Sequence, residues 1–171
     1  MKALFANAPL METLRRQFAI DWLGHHGVAH WSRVRLNGIE LACDTDADLH
    51  VIELFALFHD SQRLNEYEDE GHGARGFTLA TRLRGQFFEA SDQQMDLLER
   101  ACSLHSDGES DSPLTVQFCW DADRLDLLRV GIEPRAKYLC TAQARRPEQM
   151  ERSNRRALAW RENFHQAHMD D

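Results

Sequence analysis

The chain predicts an all-α bundle, and three observations carry that prediction. Apolar residues recur at helical spacing almost from end to end. Only four prolines and nine glycines interrupt 171 residues. Runs in which β-branched and polar residues alternate, the mark of half-buried strands, are missing. The length suits one domain with a full core. Residues 1–171 are therefore read as a single helical domain, its core over about 25–130 and a C-terminal helix and tail over 147–171.

The elements follow in order. Residues 9–24 read as a first helix, with Leu10, Leu14, Phe18 and Leu23 on one side. The stretch "HHGVAH" breaks it. "HWSRVRLNGIELAC" is a second helix, with Val34, Ile39 and Leu41 apolar. "DTDAD" then supplies an N-cap, because an Asp side chain accepts from the free N–H groups of a first turn. The third helix runs from Asp48 through Phe58 and is apolar nearly all round, which places it at the centre. "GHGARG" reads as another break, "FTLATRLRGQFF" as a fourth helix, and "DQQMDLLERACSLH", after Ser91, as a fifth. "SDGESDSP" is the plainest loop. "LTVQFCWDADRLDLLRVG" is a sixth helix, stopped by Gly131 and Pro134. The last helix starts near Pro147 and ends in an exposed "HMDD" tail. Its arginines, among them Arg152, Arg155, Arg156 and Arg161, are interleaved with Glu148, Glu151 and Glu162 and read as a solvated face, with a local anionic contact as the other reading.

The formal net charge of −8 argues against a general binder of nucleic-acid polymers, which needs clustered positive charge. A small phosphorylated substrate is not excluded, since one Arg or one metal ion suffices for it. Cys43, Cys102, Cys119 and Cys140 form no C-x-x-C pair, so neither a zinc ribbon nor a redox pair is indicated. Each lies in or beside an apolar stretch and reads as a buried free thiol, which fits a reducing compartment. The start "MKALFANAPLMETLRRQ" does not read as a signal peptide, because Asn7 and Pro9 break its apolar run ahead of Arg15 and Arg16. No segment approaches the roughly 18 apolar residues of a membrane span. The expectation is a cytoplasmic protein with no membrane partner.

Nine histidines do not by themselves make a metal site. His25, His50, His165 and His168 sit in polar or terminal contexts and read as solvated, and His26 stays unassigned. The informative ones lie at ends of apolar helices. His30 opens the second helix, with Arg33 three residues on and so on the same face. His59 and Asp60 close the central helix, and His105 closes the fifth. Asp123 and Asp126 share a face of the sixth helix, while Asp121 points elsewhere. Neighbours on a helix diverge by about 100°. At a helix end, however, an imidazole and a short carboxylate can converge on an ion lying off that end. Leaving both unpaired there is expensive, and a divalent cation satisfies both. For the dipeptide alone, a structural His–Asp hydrogen bond is the simpler reading.

The dipeptide has company. "HWSRV", "LFALFHDSQR", "HG", "CSLH" and "DADRLDLL" appear in that order. Over residues 25–130 this resembles the HD superfamily of metal-dependent phosphohydrolases, in which a His, a His-Asp pair ending an apolar helix and an Asp on a late helix recur. The resemblance implies His30, His59, Asp60 and Asp123 as ligands of a divalent ion, with Mn, Fe, Zn, Ni, Co and Mg all admissible. Asp123 is preferred to Asp121 because the family's late Asp is typically followed by Arg-Leu. Arg33 and Arg124 become candidates for phosphate contact, since a guanidinium can meet two oxygens at once, with a structural ion pair as the other reading of each.

The segment Ser61–Gly76 departs from the family's best-known subgroups. The acidic pair that follows HD in nucleotide-signal hydrolases has only Glu66 as its nearest match here, preceded by Asn65. The GYP signature of cyclic-dinucleotide phosphodiesterases does not occur. Glu66 and Asp69 are candidates for water positioning or proton transfer, or simply loop carboxylates. His72 and His105 stand where two-metal members keep extra histidines, although His72 can instead cap the next helix. His72 looks to lie on a glycine-bounded loop and His105 against "SDGESDSP". Neither looks like a rigid ligand platform, so one ion is expected, with both histidines lining the pocket.

The expected activity is hydrolysis of a small phosphorylated compound, a nucleotide first among them. Asp60, Glu66 and His105 are the catalytic candidates, and Arg33, His72 and Arg124 the substrate-binding ones. Two alternatives remain at this stage: an HD-fold oxygenase holding two irons, and a non-catalytic HD-type ligand-binding or regulatory module.

Overall fold

The ten residues Leu49–Phe58 set the plan of the fold. Val51, Ile52, Leu54, Phe55, Leu57 and Phe58 are all fully buried in a helix that its own composition marks as central. Truncating any one to Ala would cost about 2–5 kcal/mol. In this computed structural model, which describes residues 4–169 and side chains as far as 167, the described residues form seven α-helices, this one included, and no strand. They are α1 (Ala8–Gln17), α2 (Val28–Ala42), α3 (Leu49–Phe58), α4 (His72–Leu83), α5 (Asp92–Leu104), α6 (Leu114–Arg124) and α7 (Pro147–Met169). Helix α3 packs against α2, α4, α5 and α6, and α2 lies along α6. No helix among the described residues is long and apolar enough to cross a membrane. Helix α7 continues into the "HMDD" tail as far as Met169; Asp170, Asp171 and the side chains of His168 and Met169 lie outside the described residues.

The expected caps form. Asp48 accepts from the backbone N–H groups of His50 and Val51 at 2.9 and 3.2 Å. Ser91 and Gln94 close a reciprocal capping box on α5. Several boundaries differ from the sequence expectation. Helix α1 ends at Gln17 rather than at 24, because Phe18 turns inward to meet Trp22 and Trp31 edge-on at 5.7 and 5.3 Å. Tertiary packing of these aromatic rings overrides the local period. Helix α6 ends at Arg124, and a 3-10 turn, Leu127–Val130, replaces its predicted last turns.

The largest correction is α4, which begins at His72 inside the supposed break "GHGARG" and ends at Leu83. Gly73 and Gly76 are not punctuation there. A Cβ on Gly73 would lie 1.9 Å from the carbonyl oxygen of Cys102, and one on Gly76 would lie 2.0 Å from that of Phe58. The two glycines let α4 press against the ends of α5 and α3.

Other expectations shift with burial. Cys102 and Cys119 are buried free thiols as expected, but Cys43, just past the end of α2, is exposed and Cys140 half-buried. His50 is buried rather than solvated, with Nε2 at 2.7 Å from the Glu89 carbonyl. The supposed solvated face of α7 is partly a docking face. Arg156 donates to Glu40 at 2.8 Å and to Asn37 Oδ1 at 2.7 Å, and Ser153 donates to the same Asn37 oxygen at 3.0 Å. Asn37 in turn donates to the Ala122 carbonyl at 2.9 Å, so one side chain ties α7, α2 and α6 together.

Candidate metal centre

Helix α3 delivers His59 and Asp60 to the middle of the bundle, and four other segments bring partners to them. His30 comes from the first turn of α2, His72 from the first turn of α4, His105 from the end of α5, and Asp123 from the last turn of α6. Five of these six side chains are at least 93% buried, and Asp123 is 16% exposed.

The histidines form two pairs. The Nε2 atoms of His30 and His59 face each other at 3.1 Å, and those of His72 and His105 at 2.9 Å. Asp60 stands between the pairs. Its Oδ2 lies 3.4 Å from His30 Nε2 and 3.6 Å from His59 Nε2. Its Oδ1 lies 3.1 Å from His72 Nε2 and 3.8 Å from His105 Nε2. Asp123 Oδ1 joins the first pair, 3.3 Å from His30 Nε2.

The far side of each ring fixes what the near side presents. His59 Nδ1 lies 3.0 Å from the Phe55 carbonyl, His72 Nδ1 2.6 Å from the Asp69 carbonyl, and His105 Nδ1 2.7 Å from the Cys102 carbonyl. A carbonyl only accepts, so each of these Nδ1 atoms carries the proton and each neutral ring offers an Nε2 lone pair to the centre. His30 Nδ1 instead meets the Asp126 carboxylate at 2.7 Å. Backing an imidazole in this way orients metal-bound histidines. Lone pairs aimed at one another and at a carboxylate need a cation or a proton between them. The donors therefore fit a divalent ion, and two overlapping groups can hold one: His30, His59 and Asp60, and Asp60, His72 and His105.

Protons can fill part of that role. Burial and the Arg129 charge pull the His30 pKa down, but hydrogen bonds to Asp123, Asp126 and Asp60 outweigh them and raise it to about 9. Burial pushes His59 down to about 3. Burial also opposes a charge on His105, yet Asp60 and Asp123 raise it. Asp60 lies well below the usual carboxylate range, since the four surrounding imidazoles outweigh its desolvation.

The structure thus brings His30, His59, Asp60, His72, His105 and Asp123 together. It corrects the expectation that His72 and His105 lack a platform, because both occupy buried helix ends. Asp121 is turned away, accepting from the Cys140 N–H, the Thr141 N–H and the Thr141 hydroxyl. Arg33 lies behind the centre. Its Nε and Nη2 donate to Asp126 at 2.7 and 3.0 Å, and its guanidinium covers Trp160 at 4.7 Å. Arg124 donates to the carbonyls of Tyr138 and Glu109 and pins a loop. Glu66 meets His26 Nδ1 at 2.5 Å, and Asp69 accepts from the Leu64 N–H and from Arg75.

The chain matches no protein-family model, no curated protein and no solved structure.

Three residues at the centre were not anticipated in their roles. Asp126 backs His30, and its i,i+3 spacing from Asp123 was the available signal. Arg63 is buried, with Nη1 3.4 Å from Asp60 Oδ1, and it donates to the carbonyls of Asn65 and Tyr67. Arg129 lies 4.0 Å from Asp123 Oδ1. Neither arginine sits in a pattern that singles it out.

Proposed function

We propose that this chain is a metal-dependent phosphohydrolase of the HD type, acting on a small phosphorylated compound, with nucleotides the first class to test. One observation carries the reading: Asp60 turns one oxygen toward each of two histidine pairs. That arrangement suits two divalent ions sharing a carboxylate, so the single ion expected from sequence becomes two in this proposal. Bound ions there would lower the pKa of a water and polarise a phosphoryl oxygen.

The protein's own groups prepare that chemistry. The Nδ1 contacts hold the four rings in place. Arg63 offsets the Asp60 charge from the His72 side. Glu66 lies outside the histidine cluster, paired with His26. The test is metal content per chain, followed by phosphate release from a panel of nucleotides and sugar phosphates with Mn, Co, Ni, Fe, Zn or Mg. Turnover that disappears in Asp60→Asn supports the reading. A clean panel with metal bound refutes it.

Two histidine pairs around one carboxylate also favour a second reading, a two-iron centre that uses oxygen. Iron as the bound metal, with oxygen consumed and no phosphate released, would select it.

A further inference from the structure

Arg129 sits on the 3-10 turn Leu127–Val130 and is 4% exposed. Its Nε donates to the His25 carbonyl at 2.9 Å, while its Nη1 is buried with no hydrogen-bond partner. Asp123 Oδ1 and Asp126 Oδ2 stand 4.0 and 3.9 Å from the guanidinium, close enough to balance its charge and too far to accept its N–H groups. A buried guanidinium N–H left unpaired in a native fold calls for an explanation.

Arg129 lines a cavity of about 330 Å³ together with His25, His26, Glu66, Arg161 and His165. In a chain of net charge −8, this lining brings two arginines and three histidines together. Glu66, its one carboxylate, is already taken by His26. Arg161 reaches it from α7 and makes no hydrogen bond or ion pair among the described residues. The cavity adjoins the metal centre through two contacts. Arg129 approaches Asp123, and the His26 ring lies 6.3 Å from the His30 ring, centroid to centroid.

We propose that this cavity binds a second phosphate group of the substrate, held by Arg129 and Arg161 while the reacting phosphoryl group lies at the histidine cluster. The proposal rests on the hydrolase reading and narrows it: the substrate carries phosphate at two places, or a polyphosphate chain that spans them. Paired guanidinium groups suit this, because each can offer two parallel N–H donors to one phosphate.

The test uses the full chain stripped of metal with a chelator and titrated with inorganic phosphate, followed by calorimetry or phosphorus NMR. The wild type binds one phosphate, more weakly as salt rises. Arg161→Gln weakens binding roughly ten- to a hundredfold, as expected for a lost charged hydrogen bond. Arg155→Gln, on the exposed Glu151 pair of the same helix, retains wild-type affinity. Arg129→Gln also releases the His25 carbonyl, so Arg161→Gln, with its fold checked by circular dichroism, decides. No phosphate bound by the wild type, or equal affinity in Arg161→Gln, overturns the subsite. Failure of the hydrolase reading shows elsewhere, as absent metal or absent turnover in the wild type.

Discussion

The two histidine pairs share a carboxylate and little else. His30 and His59 are wholly buried, and His30 is backed by the Asp126 carboxylate, itself held by Arg33. Asp123 adds a second charge on that side. His72 and His105 are backed only by carbonyls, and both line a cleft of about 690 Å³ with Arg63, Glu68 and Asp69. In the first pair His30 has anionic backing and His59 a carbonyl, and neither ring meets solvent. The second has neutral support and an open mouth. Anionic backing raises ligand basicity, so under the proposed reading the first pair holds its ion tightly and the second exchanges its ion.

The largest effect expected is from Asp60→Ala. With the shared carboxylate gone, metal content by elemental analysis falls from two equivalents to near none, and turnover stops. One equivalent retained would mean the two pairs do not depend on a common ligand. Next come His59→Ala and His105→Ala, compared directly. The first loses the tight ion and with it the stabilisation a native-state ligand supplies, so its melting temperature in excess metal falls further. The second keeps one equivalent and loses turnover. Equal metal loss in the two variants would mean that the two pairs hold their ions alike.

Asp126→Asn should be milder. The backing hydrogen bond weakens without a ligand being removed, and affinity for the tight ion drops about 10- to 100-fold. The second ion should be unaffected, as competition with a metal-sensitive dye would show. The smallest effect belongs to the frame. Ser153→Ala removes a buried hydrogen bond to Asn37, costing about 1 kcal/mol and lowering the melting temperature by roughly 2–4 °C. Metal content should not change, which separates damage to the bundle from damage to the centre.

Much of the first pair was legible in the sequence because its signals are local. A helix apolar on every face that ends in His-Asp announces a buried polar end, and the Arg-Leu that follows Asp123 sets it apart from Asp121 through the family resemblance. The second pair was visible as residues but not as a platform. Gly73 and Gly76 act between helices, against carbonyls of Cys102 and Phe58, and nothing local distinguishes such glycines from loop punctuation. Arg33 was correctly placed on the face of His30, but its partner Asp126 lies 93 residues on and cannot be read from spacing. Arg129 lies on a 3-10 turn too short to show any period.

The distances along the chain bear on the order in which the molecule assembles. His30 and His59 are 29 positions apart and His72 and His105 are 33 apart, but His30 and Asp126 are separated by 96. Closing the longest of these loops carries the greatest entropic delay, so the carboxylates of α6 and its following turn arrive late. A cation present during refolding meets only fragments of its ligand set until that step is complete. Under the proposed reading it therefore does little to hasten folding. It acts afterwards, by slowing the native state's departure, and the protein's persistence in a metal-poor medium becomes a matter of escape rate.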